Sequence, residues 1–353
     1  MSSAIKAVVL GATGYVGGEL LRLVAGHPEL QLAAAVSASS KGQPIEATFP
    51  HLAAAYDGVE FCDYEDWPAR IESGGRLALF SAAPHGASAA IIEAALAQAA
   101  KQNLEVHVVD SSADFRYTEQ AEFESIYKIE HGAPGLLSQF SCALPEHTRN
   151  IATAHIGHPG CFATAISLAA VPLMLSGMIE PEIFAAATTG STGSGRSPQA
   201  GTHHPERHSN QYAYQPLTHR HTPEIVNMCE AAGGTACAVN FVPHSGAFAR
   251  GIYATLQAKT RGNVSTQALR AFFGDYYADA AFVKVVAGTP RLKNVVASNY
   301  CHIGVAVEGS TVVVTSALDN LVKGAAGGAV QWMNRLWQIP ATSGLLATAP
   351  GWT

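Results

Sequence analysis

Charge is scarce in this 353-residue chain: Asp, Glu, Lys and Arg together make up 14%, the net charge is −6, and no run of lysines or arginines occurs. Nothing in that balance recruits nucleic acid or an anionic membrane. Long apolar runs are also missing, since the apolar stretch 165–179 is interrupted by Pro172 and is too short to span a bilayer. The N-terminus enters a β-like run almost at once, without a basic segment, apolar core and cleavage site in succession, so a cytoplasmic location is expected. Cys62, Cys142, Cys161, Cys229, Cys237 and Cys301 include no C-x-x-C pair, which fits reduced thiols and argues against structural zinc. No metal is expected. What is present, 48% apolar residues over a length sufficient for two domains, describes a globular protein whose ligand is a small molecule.

One cysteine stands apart. In His158-Pro159-Gly160-Cys161-Phe162-Ala163-Thr164 it occupies a loop-to-helix junction, because Phe162 to Val171 reads as an apolar helix start. Unpaired backbone N–H groups and the positive end of the helix dipole favour a thiolate there. A free cysteine is otherwise a small buried hydrophobe. This setting makes Cys161 a candidate nucleophile.

The first half of the chain alternates strand and helix patterns as a doubly wound parallel sheet does. Ala4 to Leu10 is strand-like, Gly11-Ala12-Thr13-Gly14-Tyr15-Val16-Gly17 is a glycine turn, and Glu19 to Val24 is helical. That order aims backbone N–H groups at a pyrophosphate, although the spacing is G-x-x-G-x-x-G rather than the commoner G-x-G-x-x-G. Gly11, Thr13, Gly14, Tyr15 and Val16 are candidate cofactor contacts, and Pro28 is expected to close the helix. A second strand, Leu30 to Val36, runs into Ser37-Ala38-Ser39-Ser40-Lys41, with no acidic residue to hold a ribose 2′-hydroxyl. Ser37, Ser39, Ser40 and Lys41 instead offer donors to a 2′-phosphate, which favours NADPH, unless Lys41 is only a solvated loop residue. Leu77 to Ala82 and Val106 to Asp110 read as further strands, with Pro84 a cofactor candidate after the first of them. In Ser111-Ser112-Ala113-Asp114-Phe115-Arg116, Arg116 is either an anion clamp or the partner of Asp114 or Glu119.

In the second half, Ala185 to Thr189 resembles a strand, and Gly190-Ser191-Thr192-Gly193-Ser194-Gly195-Arg196 suits close approach of a cofactor or phosphate. Gly193, Gly195 and Arg196 are candidates, though a plain linker looks the same. His203, His204, His208, His219 and His221 follow, with Arg207 and Arg220, at spacings that give no metal-ligand set. Acid–base or anion-binding roles suit them better. In His219-Arg220-His221-Thr222-Pro223-Glu224-Ile225, Pro223 can start a helix and fix the preceding imidazoles at its edge. Residues 241–253 read as strand-turn-strand, and 295–307 and 311–316 as further strands, giving a mostly antiparallel sheet with helices against it. Asp319-Asn320 precedes a helix running to about Trp337, whose Gly324, Gly327 and Gly328 imply close contact with cofactor or sheet.

These segments converge. Through GATGYVG at 11–17, SADFR at 112–116, HPGCFAT at 158–164, GSGR at 193–196, HRHTPEI at 219–225 and DNLVKGAAG at 319–327, the chain resembles the N-acetyl-gamma-glutamyl-phosphate reductases. The wider group includes the aspartate-semialdehyde dehydrogenases, and the similarity covers nearly the whole chain. The resemblance implies an NADPH-dependent acyl-phosphate reductase of arginine biosynthesis with Cys161 as nucleophile and Asn320 among the cofactor contacts. It also implies an α/β architecture: a Rossmann-type domain at 1–150, an α+β catalytic domain at 151–317, and a C-terminal helix at 318–353 returning to the first. A homo-oligomer, dimer or tetramer, is expected. Residues 200–212 look closer to relatives that reduce carrier-protein-linked aminoadipyl or glutamyl phosphates, which leaves open the group that blocks the substrate's amino nitrogen, and a carrier protein as partner.

The chemistry follows from the residue types. A thiolate attacks the acyl phosphate, phosphate leaves, and the thioester accepts hydride to give a thiohemiacetal that collapses to the aldehyde. An imidazole takes the thiol proton and later protonates the new oxygen. The resemblance puts His221 first, with His219 and His244 as alternatives. The leaving phosphate needs cations, Arg116 first and Arg196 or Arg250 next, with His219, Arg220 and His244 as further substrate contacts. An aspartate-semialdehyde dehydrogenase would use the same cysteine. A non-catalytic NADP(H)-sensing regulator would leave the setting of Cys161 unexplained.

Overall fold

Buried side chains run almost unbroken along Ile5–Leu10 (β1), the mark of a strand covered on both faces. A computed structural model, which describes residues 4–233 and 236–352, places β1 in a six-stranded sheet with Leu30–Val36 (β2), Arg76–Ser81 (β3), Glu105–Asp110 (β4), Phe140–Cys142 (β5) and His155–Gly157 (β6). The order is β2-β1-β3-β4-β6-β5, with every neighbouring pair parallel. Tyr15–Ala25 (α1), Ile45–Thr48 (α2), Ser88–Lys101 (α3) and Gln120–Tyr127 (α4) lie in the connections. Pro28 does not close α1, which already ends at Ala25 with Gly26 as its cap. Leu10 is in register with both Val36 and Ser81, so the glycine turn, the Ser37 segment and the loop after β3 leave one edge of the sheet together.

A second sheet contains Glu182–Thr189 (β7), Tyr212–Ala213 (β8), Ala238–Ser245 (β9), Ile252–Lys259 (β10), Val283–Val285 (β11), Cys301–Glu308 (β12) and Thr311–Leu318 (β13). Its order is β11-β12-β13-β10-β7-β9-β8. The pairs β11–β12 and β7–β9 are parallel and the others antiparallel, so the sheet is mixed. The strand-turn-strand expected at 241–253 is present as β9 and β10, with β7 paired between them. One expectation needs correction. The strand expected over 295–307 begins only at Cys301, since the chain turns through Leu292–Asn294 and reaches a φ of 64° at Ala297. Cys161–Leu175 (α5), His204–Arg207 (α6), Thr222–Gly233 (α7) and Thr266–Tyr276 (α8) accompany this sheet. α5 packs on β7, β10 and β13, α7 on α5 and β9, and α8 on β12.

The chain divides into two units. One comprises the chain up to Pro145, Asn150–Pro159 and Ala325–Leu346, and the other Glu146–Arg149, Gly160–Gly324 and the residues after Leu346. The divisions thus fall at Pro159/Gly160 and Gly324/Ala325 rather than at 150 and 317, because β6 still pairs with β4 and β5. A π-helical turn, Val322–Ala326, leads into the last helix, Gly327–Leu336 (α9), which packs on β4 and α1 in the first unit. Its fully buried Trp332 donates to the Ala143 carbonyl at 2.8 Å.

Candidate active site

Cys161 is the first residue of α5, half-buried, with Gly160 as N-cap and no acidic side chain in the first turn. The positive helix end therefore acts on the sulfur unopposed from its own turn. Two glycines bring its neighbours close. A Cβ on Gly324 would lie 2.9 Å from the Cβ of Cys161, and one on Gly160 would lie 2.3 Å from Cε1 and 2.4 Å from Nε2 of His221. The Nε2 edge of that imidazole is thus held against the residue preceding the sulfur. The close contact expected at Gly324 is made with Cys161 itself.

The segment before and within α7 explains this placement. Pro223 stands at the second position of α7, where the helix needs no N–H. Glu224, in the same first turn and buried, accepts the Gly160 N–H at 2.8 Å. His221 and Glu224 therefore grip the N-terminus of α5 at one residue. Sequence reasoning passed over Glu224; its signal is a carboxylate in the first helical turn beside two imidazoles. His219 Nδ1 accepts the backbone N–H of His221 at 3.1 Å, and its ring packs among Phe162, Phe241, Tyr214 and His221. Burial, with the charge of Arg220 second, lowers its pKa to about 4, so it is neutral at pH 7 and a weak base. His244 lies on β9, half-buried, in register with Thr188 and Ala213. Tyr214 is a second residue that sequence reasoning missed. Burial first, and negative charge at Cys161 second, push its phenol above the usual range, so the hydroxyl stays protonated.

The arginine candidates are differently engaged. Arg116, buried in the first unit, donates from Nε to the His158 carbonyl at 2.9 Å and from Nη2 to the Ser111 carbonyl at 3.2 Å. Arg250 sets its fork on the buried Asp319, Nε to Oδ2 at 3.0 Å and Nη2 to Oδ1 at 3.2 Å. Arg196 and Arg220 are exposed.

The first unit offers a cradle that fits a dinucleotide. Gly11 has a φ of +68°, and a Cβ there would lie 2.7 Å from the Ala82 carbonyl. Gly14 caps α1 without a side-chain bond, and Tyr15 and Val16 begin a helix with no acidic residue in its first turn, so its N–H groups suit a pyrophosphate. Thr13 and Ser37 hydroxyls are 3.3 Å apart, as are those of Ser37 and Ser39, and Ser40 ends the same short turn. Lys41 Nζ, half-exposed, pairs with Asp66 at 2.9 Å. Pro84 is exposed in the loop after β3. The remaining cofactor candidates are in the second unit. Gly193 and Gly195 follow β7, and Asn320 ties that turn down by donating to Thr192 Oγ1 at 3.0 Å while accepting the Gly251 N–H at 2.7 Å.

Among the described residues, no group of three or more His, Cys, Asp and Glu side chains is arranged to hold a metal ion, and no helix is long and apolar enough to cross a membrane. Residues 6–169 match the family model of the semialdehyde dehydrogenase NAD binding domain, and residues 161–320 that of the semialdehyde dehydrogenase dimerisation domain. N-acetyl-gamma-glutamyl-phosphate reductase from Symbiobacterium thermophilum is 39% identical, covering 98% of this chain and 99% of its own. The reductase of the same name from Methanosarcina barkeri is 38% identical over 98% and 100%. Among solved structures, aspartate semialdehyde dehydrogenase II of Vibrio cholerae, complexed with ASA, aligns with a TM-score of 0.68 at 17% identity over 96% of this chain and 99% of that one. The Candida albicans aspartate semialdehyde dehydrogenase with NADP aligns at 0.63 and 14%, covering 95% and 99%. At such identities these two share the fold.

Proposed function

The chain belongs to the N-acetyl-gamma-glutamyl-phosphate reductase family, and from that premise we infer that it reduces N-acetyl-gamma-glutamyl phosphate to the semialdehyde and phosphate, a step of arginine biosynthesis. The observation that carries the reading is Cys161 at the start of α5 with the His221 imidazole against Gly160. The glycine turn Gly11–Gly17 of the first unit would hold NADPH, which would supply the hydride. The Cys161 thiolate adds to the acyl carbonyl, phosphate leaves, and a thioester remains. His221 takes the thiol proton and returns it to the oxygen formed at that carbon, while the Tyr214 hydroxyl offers a second donor. His219 holds the His221 backbone and stays neutral. Arg116 is the cation assigned to the departing phosphate, with Arg196 next, since Arg250 is engaged by Asp319.

The protein works as a homo-oligomer. Its dimerisation-domain match covers the second sheet, where Phe184 on β7 remains 53% exposed. A second copy laid on that face would cover it.

The assay is phosphate-dependent oxidation of N-acetylglutamate semialdehyde with reduction of NADP, run beside aspartate semialdehyde and carrier-linked substrates. Preference for either of the latter would overturn the substrate. Cys161→Ser should keep NADPH binding and lose turnover by roughly 10³-fold or more. Substantial serine-variant turnover, or no acyl adduct on Cys161 by mass spectrometry, would remove the nucleophile assignment.

A further inference from the structure

From Ser191 to Thr218, Arg207 is the only buried residue among those described. A largely exposed segment thus sends one of the most hydrophilic side chains inward, from the last position of α6. Arg207 Nη1 donates to Ser245 Oγ at 2.7 Å, while Nε and Nη2 are shielded from solvent and have no hydrogen-bond partner among the described residues. Leaving two charged N–H groups dry and unmatched is costly unless an anion completes them. Nε and Nη2 lie on the same edge of the guanidinium, the edge that holds a carboxylate by two parallel bonds. We propose that Arg207 is a substrate-binding residue that takes the carboxylate the substrate carries away from its reacting carbonyl.

Ring contacts lead from Tyr214, beside this neighbourhood, through His219 to Phe162, the residue after the reacting cysteine. Ser245 is in register with Tyr212, and Tyr214, whose N–H bonds the Pro243 carbonyl, lies in the field of Cys161. Ser245 lies two positions beyond Pro243 on β9, a rise of about 7 Å. A single guanidinium neutralises a monoanion. A dianionic phosphate at the same place would bury a second charge.

This inference rests on the reading of the reaction, so its test is a binding measurement independent of turnover. The full chain is titrated calorimetrically with N-acetyl-L-glutamine, which keeps the distal carboxylate, with its α-carboxamide, and with inorganic phosphate. The unmodified protein should bind the carboxylate about tenfold or more tightly than the carboxamide. Arg207→Gln should abolish that difference and leave phosphate binding unchanged, and Arg207→Lys should recover only part of it for want of a planar fork. Equal affinity of the unmodified protein for carboxylate and carboxamide overturns the proposal without any variant having to fold. So does a phosphate affinity that falls in Arg207→Gln while the carboxylate affinity stays. Absence of semialdehyde oxidation by the unmodified protein would instead count against the reaction alone.

Discussion

In the first unit, Gly17 answers to its own turn: a Cβ there would lie 2.6 Å from the carbonyl carbon of Ala12. In the second, Gly160 answers to His221 and Gly324 to Cys161, partners far along the chain. Both regions exploit a missing side chain to allow close approach. Gly17 does so inside one short window, with Gly11 of the same turn reaching out to Ala82, whereas the reactive region joins a helix start, a distant histidine segment and a π-helical turn. A nucleotide site of this kind can be recognised from consecutive residues. A reactive site assembled by distant closure has no spacing rule to betray it.

The largest effect that would break the comparison concerns the base. His221→Asn should lower kcat by roughly 10²–10⁴-fold with a smaller change in KM, and His244→Asn should do much less. The reverse result would move the base from the α7 edge to β9. Next comes Gly160→Ala, in which the added methyl must displace the imidazole at a cost of about 1–3 kcal/mol. Turnover should fall while NADPH affinity holds. Gly17→Ala should weaken NADPH binding and melting temperature yet leave the alkylation rate of Cys161 unchanged. If both glycine variants move both readouts together, the two regions are not separately built.

The smallest effect sharpens the nucleotide side. Changing Ser39, Ser40 and Lys41 together to alanine should narrow the preference for NADPH over NADH. Each charge-assisted bond to a 2′-phosphate is worth about 1.5–3 kcal/mol, but Lys41 already shares its charge with Asp66 in the structure. Asp66→Asn should accordingly widen the preference. Equal kcat/KM for the two cofactors in the unmodified enzyme would refute the assignment.

Particular residues show how much was legible. The β1 strand, the glycine turn, α1 and the parallel first sheet follow from short apolar runs and turn residues, and Cys161 falls at the start of α5 as its flanking residues predict. The division at Pro159/Gly160 was not, because three-residue β6 joins the first sheet only through its long-range pairing. Nor was the separation of β9 from β10, since β7 inserts between them from earlier in the chain.

By itself the sequence determined the alternation of elements, the hydroxyl-rich end of β2 and the position of Cys161 at a helix start, because hydrophobic period, turn chemistry and helix entry act over a few neighbouring residues. Only the tertiary structure decided that His219 is a neutral packing group, that Glu224 holds the Gly160 N–H, and that Arg250 is committed to Asp319 while Arg207 keeps an unmatched edge. Burial and hydrogen-bond partnership set those outcomes. Both depend on which distant segments close over a side chain, and chain spacing does not encode that.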